Sequence, residues 1–240
     1  MVFVGGHEFQ HRSVLAVCAH PDDESFGLGA VLSTLDDLGI ETRLLCFTHG
    51  EASTLGASRD ALAVVRAAEL ATAAAALGLR SLTLLSYPDG ALSETNLDEL
   101  SREVESSAVE SSAKVDPVDC LLVLDEGGVT GHPDHQRATE AALVAGERLG
   151  IPVLAWALPL SLTFVLNSEF DAGFVGRQPA EIDLVMVVDR ERQQHAISCH
   201  ASQSTENPVL RRRLSLQGDS ESLRWLGVAG RGRTEARRQT

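Results

Sequence analysis

Between residues 13 and 157, short continuous apolar runs alternate with longer segments of helical period, and this rhythm most restricts the fold. Residues 13–19, 42–48, 81–85, 120–124 and 152–157 have strand length and no polar alternation. Residues 27–38, 58–77, 97–113 and 133–149 repeat apolar positions at helical spacing. Gly78 and Gly150 are placed to stop two of these helices, and Asn96 or Thr95 to cap a third. Strands that are apolar throughout are buried on both faces, and helices of this length serve as crossovers between parallel neighbours. The expected fold is a single α/β domain: a Rossmann-like, doubly wound, mostly parallel sheet over residues 13–160. Residues 161–240 form a C-terminal α+β elaboration. It is expected to hold an edge strand or small added sheet at 181–188, a helix at 189–200 capped by Asp189, and a less regular section.

Charge narrows the partners. The 34 acidic and 20 basic side chains give −14, unevenly spread. Residues 207–240 hold eight Arg and three acids, a net of +5, which leaves −19 on residues 1–206. A body so acidic repels phosphate backbones, so no nucleic-acid partner is expected. Arg211-Arg212-Arg213 reads as a solvated helix face, or else as a contact for an anionic substrate, a subunit or a membrane surface. No run of 18 apolar residues offers an integral membrane segment, and the N-terminus lacks the basic-then-apolar order of a signal peptide. A cytoplasmic protein is expected, with homo-oligomerisation left open. Cys18, Cys46, Cys120 and Cys199 show no metal-binding spacing and read as buried thiols.

The polar clusters fall where strands end, which is where open α/β sheets bind ligands. The first strand runs into Ala19-His20-Pro21-Asp22-Asp23-Glu24, the second into His49-Gly50-Glu51, the third into Tyr87-Pro88-Asp89-Gly90. The fourth runs into Asp125-Glu126 and on to Gly131-His132-Pro133-Asp134-His135. An imidazole and a carboxylate three residues apart in a proline-stiffened turn can face one ion. A histidine from the neighbouring loop completes a three-ligand set with positions open to water and substrate. Of two adjacent carboxylates, one can bind the metal while the other accepts a proton from the water activated there. Two histidines and a carboxylate suit zinc, and equally iron(II) or cobalt(II).

Ala-His-Pro-Asp-Asp-Glu at 19–24 and His-Pro-Asp-His at 132–135 resemble the motifs of the LmbE-like, or PIG-L, family of zinc-dependent N-acetylglucosamine N-deacetylases. Thr48-His49-Gly50-Glu51, Arg66-x-x-Glu69, Tyr87-Pro88-Asp89-Gly90 and His200-x-x-Gln203 extend the resemblance over roughly residues 13–204. It implies His20, Asp23 and His135 as zinc ligands and Asp22 as general base. His132 is then the group that stabilises the oxyanion and protonates the amine, with Asp134 orienting it. The implied substrate is an N-acetylglucosamine-type amino sugar or conjugate, which releases acetate. Relatives acting on glucosaminyl inositols tend to carry Tyr two residues before the second motif; here that position is Thr130.

Glu51 and Asp89 are candidate acceptors for sugar hydroxyls, or loop caps. Arg66 is either a substrate contact or a surface partner of Glu69 at i, i+3. His200, at a helix end, is placed near the site by the resemblance, as a candidate substrate-binding residue. Other functions stay in view. The Gly27-Leu28-Gly29 turn suggests a dinucleotide site, but Leu32 stands at the third glycine position and three acids would face the pyrophosphate. A larger acyl group, or a sugar- or metal-binding relative without turnover, is also compatible with the motifs. The rim acids Asp22, Asp23, Glu24, Glu51, Asp89, Asp125, Glu126 and Asp134 are together expected to need a cation among them.

Overall fold

The structure is a computed structural model that describes residues 2–4, 7–9, 11–54, 59–109 and 117–227. Two short N-terminal strands, β1 (Val2–Val4) and β2 (His7–Phe9), pair antiparallel. The main sheet starts at β3 (Ser13–Cys18) and continues through β4 (Glu41–Thr48), β5 (Ser81–Tyr87), β6 (Cys120–Leu124) and β7 (Val153–Pro159). These five are parallel, in the order β5-β4-β3-β6-β7.

The crossovers are α1 (Asp23–Phe26) with α2 (Gly29–Asp37), then α3 (Arg59–Leu77), α4 (Leu97–Val109), and α5 (Gly128–Gly131) with α6 (Pro133–Leu149). The helix expected over 27–38 is α2, and α1 is a further short turn that precedes it at the end of β3. The expected end of the third helix, residues 110–113, lies outside the described residues. Asn96 Oδ1 accepts the Asp98 N–H at 2.9 Å, the cap foreseen for α4. Gly150 ends α6 at φ 70°, a left-handed conformation that suits glycine.

Alternate residues of each strand feed two separate cores, which is why the strands are apolar throughout. Val14, Ala16 and Cys18 of β3, Leu122 of β6 and Trp156 of β7 pack with α2 and α3. Leu15, Val17, Leu121, Val123 and Ala155 pack with α4 and α6 on the other face. Burying a leucine or valine of this kind contributes about 1.5–3 kcal/mol relative to leaving it exposed.

The C-terminal part continues the same sheet. After α7 (Leu160–Phe170), β8 (Gly176–Arg177) pairs with β7. Next come β9 (Leu184–Val187), α8 (Glu191–Cys199), α9 (Ala201–Ser204), α10 (Pro208–Gln217) and β10 (Ser220–Leu226). β10 inserts antiparallel between β7 and β9, which leaves β9 at the sheet edge. Asp189 Oδ1 accepts the Glu191 N–H at 2.7 Å at the start of α8. Among the described residues, no helix is long and apolar enough to cross a membrane, and all four cysteines are free.

The chain winds outward from β3 in one direction through β4 and β5, then returns to the other side of β3 at β6. That reversal opens a crevice beyond the carboxyl ends of β3 and β6. The two His-Pro-Asp segments follow those two strands.

Candidate active site

The segment after β3 folds back on itself. Asp23 Oδ2 accepts the Ala19 and His20 N–H groups at 3.1 and 2.9 Å, closing the proline-stiffened turn. Asp22 sits at φ 118°, a positive value that costs a non-glycine residue roughly 1–3 kcal/mol. Three neighbours hold it there. Its N–H donates to Glu24 Oε2 at 2.9 Å, its carbonyl accepts Phe26 N–H at 2.7 Å, and Arg66 Nη2 lies 3.0 Å from its Oδ2. Glu24 is fully buried, and its Oε1 meets His200 Nε2 at 2.6 Å.

The segment after β6 supplies the facing side. His132 is the N-cap of α6, and its Nδ1 accepts the Asp134 N–H at 3.2 Å. His135 Nδ1 lies 3.1 Å from the Gly128 carbonyl, which can only accept, so that nitrogen carries the proton. His135 Nε2 is then turned toward Asp23 Oδ1 at 3.0 Å and His20 Nδ1 at 3.1 Å. A carbonyl that fixes the far nitrogen of an imidazole is the usual support of a metal ligand.

His20, Asp23 and His135 each offer a ligand atom, and these atoms lie within 4.8 Å of one another. His20, His132 and Asp134 form a second such group, so His20 is common to both. Three nitrogen and oxygen donors that converge behind backbone hydrogen bonds fit a divalent cation. Their titration reflects the same crowding. Burial would raise the Asp23 carboxyl, but His135 and His20 hold it well below the carboxylate range. Burial would lower His20, yet Asp134, Asp89 and Asp23 push it up to about 10. Burial would likewise lower His135, and Asp23 raises it. His132 is pushed down, by burial and by the neighbouring histidines. Asp22 is pushed up to about 6, because burial outweighs the pull of Arg66.

Three expectations need correction, and one of the two alternatives for Arg66 falls away. The Asp134 carboxylate does not contact the His132 ring. It accepts Gly90 and Leu92 N–H groups at 2.8 and 3.1 Å and lies 3.3 Å from His20 Nε2, so it ties the loop after β5 to the site. Arg66 makes no surface pair with Glu69. It is buried, donates to the Gly50 carbonyl at 2.6 Å and to the Pro21 carbonyl, and faces Asp22, while Glu69 accepts from Ser202. His200 does not line the cavity but stands behind Glu24. The rim acids are not one cluster around one cation: Arg177 and Arg224 neutralise Asp125 and Glu126, at 2.5–3.5 Å.

Asp89 does line the cavity. Its Oδ1 lies 3.0 Å from His20 Nε2, and its Oδ2 accepts the Ala52 N–H at 2.7 Å. Glu51 lies beside it and accepts the Asp89 N–H at 3.1 Å, with Oε2 buried and unpartnered. The cavity holds about 630 Å³, within the usual range for small-molecule sites. Its wall includes residues that sequence reasoning did not single out, Phe26, Trp156, Phe174 and Asn207, together with Arg213 from the basic stretch of α10. Trp156 carried a usable signal, since it sits midway along β7, a strand beside β6 in the sheet. Thr130 lines the cavity as well, and the chain's single tyrosine, Tyr87, instead donates to Glu99 at 3.0 Å.

Comparison with known proteins adds independent findings. The family model described as PIG-L, GlcNAc-PI de-N-acetylase, matches residues 15–145, more than half of the chain. A 1D-myo-inositol 2-acetamido-2-deoxy-alpha-D-glucopyranoside deacetylase from Kineococcus radiotolerans is 34% identical over 163 residues, 57% of this chain and 45% of that protein. The chain thus spans less than half the length of that relative. A probable N-acetyl-alpha-D-glucosaminyl L-malate deacetylase 2 from Bacillus anthracis is 27% identical over 90% of this chain and 92% of its own. The solved structure of N,N'-diacetylchitobiose deacetylase from Pyrococcus horikoshii shares the fold with a TM-score of 0.66 at 23% identity, covering 90% of this chain and 84% of that one.

Proposed function

The chain belongs to the PIG-L family, and from that premise we propose that it is a metal-dependent N-deacetylase of N-acetylglucosamine-type conjugates. The observation that carries this reading is the convergence of His20, Asp23 and His135 beside an Asp22 whose carboxyl is pushed up to about 6. Zinc is the expected ion, and iron(II) or cobalt(II) suits the same donors. When bound, such an ion supplies Lewis-acid activation of water and of the amide carbonyl.

The protein groups take the remaining roles. Asp22 accepts the proton of the attacking water, and its burial raises the carboxyl above the ordinary carboxylate range, which favours it as a base. Arg66 fixes its carboxylate, while Glu24 and His200 fix its backbone. The His132 Nδ1 lone pair is occupied by the Asp134 N–H, so a neutral ring carries its proton on Nε2. That N–H can donate to the developing oxyanion. Water's hydroxyl joins the acetyl carbon and the C–N bond breaks. The proton passes to the departing nitrogen, leaving acetate and the free amine. Asp89 stands at the cavity wall for a sugar hydroxyl, and Glu51 braces it. The C-terminal part belongs to the catalytic unit, since His200 and the cavity residue Arg213 come from it.

A screen of zinc-loaded protein against N-acetylglucosaminyl inositol, N-acetylglucosaminyl malate and diacetylchitobiose, reading free amine and acetate together, tests the reading. Stoichiometric release from at least one supports it. Release from none, with zinc bound, rejects it.

A further inference from the structure

Two guanidinium groups line the cavity, and they differ in one respect. Arg66 has Asp22 as its counter-charge. Arg213, on α10, has none: among the described residues, no carboxylate lies within ion-pair distance of it. It is 4% exposed, and its Cζ lies 5.1 Å from the centre of the Trp156 ring. It donates to the Phe26 carbonyl and to Gln217 Oε1, which uses two of its five N–H donors.

The surroundings do not supply the missing charge. The nearby carboxylate, Glu221, is fully buried and already engaged: Arg190 holds one oxygen at 2.6 Å, and Trp156 Nε1 and Gln217 hold the other at 2.6 Å each. Arg190, Arg213 and Glu221 therefore leave one positive charge unbalanced at the cavity wall. Burial, reinforced by Arg190, pushes Arg213 down to about 10, against the pull of Glu221. A buried cation without a partner is costly, and an anion arriving from the cavity removes that cost.

We propose that Arg213, stacked on Trp156, is a subsite for an anionic group on the aglycone, so that acid-bearing conjugates are selected over neutral ones. The inference rests on the deacetylase reading for the identity of the sugar, but not for the charge of the aglycone. A guanidinium presents forked donors to carboxylate or phosphate, and the apolar wall of Phe26, Trp156 and Phe174 strengthens that attraction by excluding water.

Calorimetric titration of zinc-loaded protein with three deacetylated conjugates tests this: glucosaminyl malate, glucosaminyl inositol phosphate and glucosaminyl inositol. The expected result is binding of the malate or the phosphate conjugate at least about tenfold tighter than the neutral one, as one charged contact supplies. Which acid wins tells carboxylate from phosphate. Arg213→Gln is expected to remove most of that ratio, and Arg213→Lys to keep part of it. The kcat/KM ratios of the acetylated counterparts follow the same order. Equal or tighter binding of the neutral conjugate by the wild-type protein overturns the proposal, as does an Arg213→Gln protein with an unchanged ratio. A uniform loss with all three ligands also overturns it, since that is what a pin between α10 and α1 would give. If Arg213→Gln does not fold, the wild-type and Arg213→Lys ratios decide. Acid-selective binding without deacetylation keeps the subsite and rejects the deacetylase reading. Deacetylation without acid selectivity does the reverse.

Discussion

Replacing His200 with alanine probes the least visible support of the site. His200 and Glu24 are both fully buried, 2.6 Å apart, and the substitution leaves the Glu24 carboxylate without its cationic partner. Breaking a buried pair from one side costs about 3–5 kcal/mol. For a chain of this length each kcal/mol moves the melting temperature by about 2–4 °C, so a fall of about 6–20 °C is expected. Burial lowers the His200 pKa and Glu24 raises it, with a net rise above the ordinary value. Because the folded value exceeds the unfolded one, the pair's contribution is complete below about pH 6.5 and is lost as pH climbs through the folded value. The gap between wild type and variant is therefore widest in mild acid and narrows toward alkali. Calorimetric melts of metal-loaded protein across that range measure it. Glu24 also holds the strained Asp22 backbone, so kcat falls as well, and His200→Gln, which keeps an N–H donor, restores part of both. A melting temperature within 3 °C of wild type at pH 6, or a gap that widens with pH, would refute the reasoning.

Arg66→Met removes the cation that opposes the rise of Asp22, so the acid limb of kcat/KM moves to higher pH. The comparison uses metal-loaded protein in both cases, so that the metal's own pull is shared, and a limb that stays put or moves down counts against Asp22 as base. Gly50→Ala, at a φ of +65°, drives a Cβ into the Arg66 guanidinium and displaces it. Its kinetic defect is expected to track that of Arg66→Met, with about 1–2 kcal/mol of backbone strain added in the melt. Unchanged kinetics in Gly50→Ala would separate Arg66 from Asp22.

The parallel core and its ligand-bearing end were legible because burial on both faces leaves an unmistakable apolar run. The two His-Pro-Asp segments follow β3 and β6, the strands that flank the reversal in strand order. Long-range pairing was not legible. Glu24 and His200 are 176 residues apart, and no local pattern shows that one lies behind the other. For the same reason the choice for Arg66, between a substrate contact and a surface pair with Glu69, stays open on the sequence alone, whereas the structure gives it Asp22 as partner. β10 escaped notice because Glu221 and Arg224 interrupt its apolar residues, and their partners Arg190 and Asp125 come from other segments. Arg213, read as part of a solvated face, is buried between Trp156 and α1, whereas Arg212 pairs with Glu169 at 2.7 Å. The basic residues beyond 227 lie outside the described residues.

The division of labour between the two adjacent aspartates is the centre of the account, and one measurement addresses it: the metal content and turnover of Asp22→Asn, determined on the same sample. Asp23 keeps its place among the ligands in that variant, so zinc is expected at the wild-type stoichiometry while kcat falls by about 10²–10⁴-fold, the usual contribution of a general base. An Asp22→Asn protein that holds zinc and turns over at the wild-type rate contradicts the account.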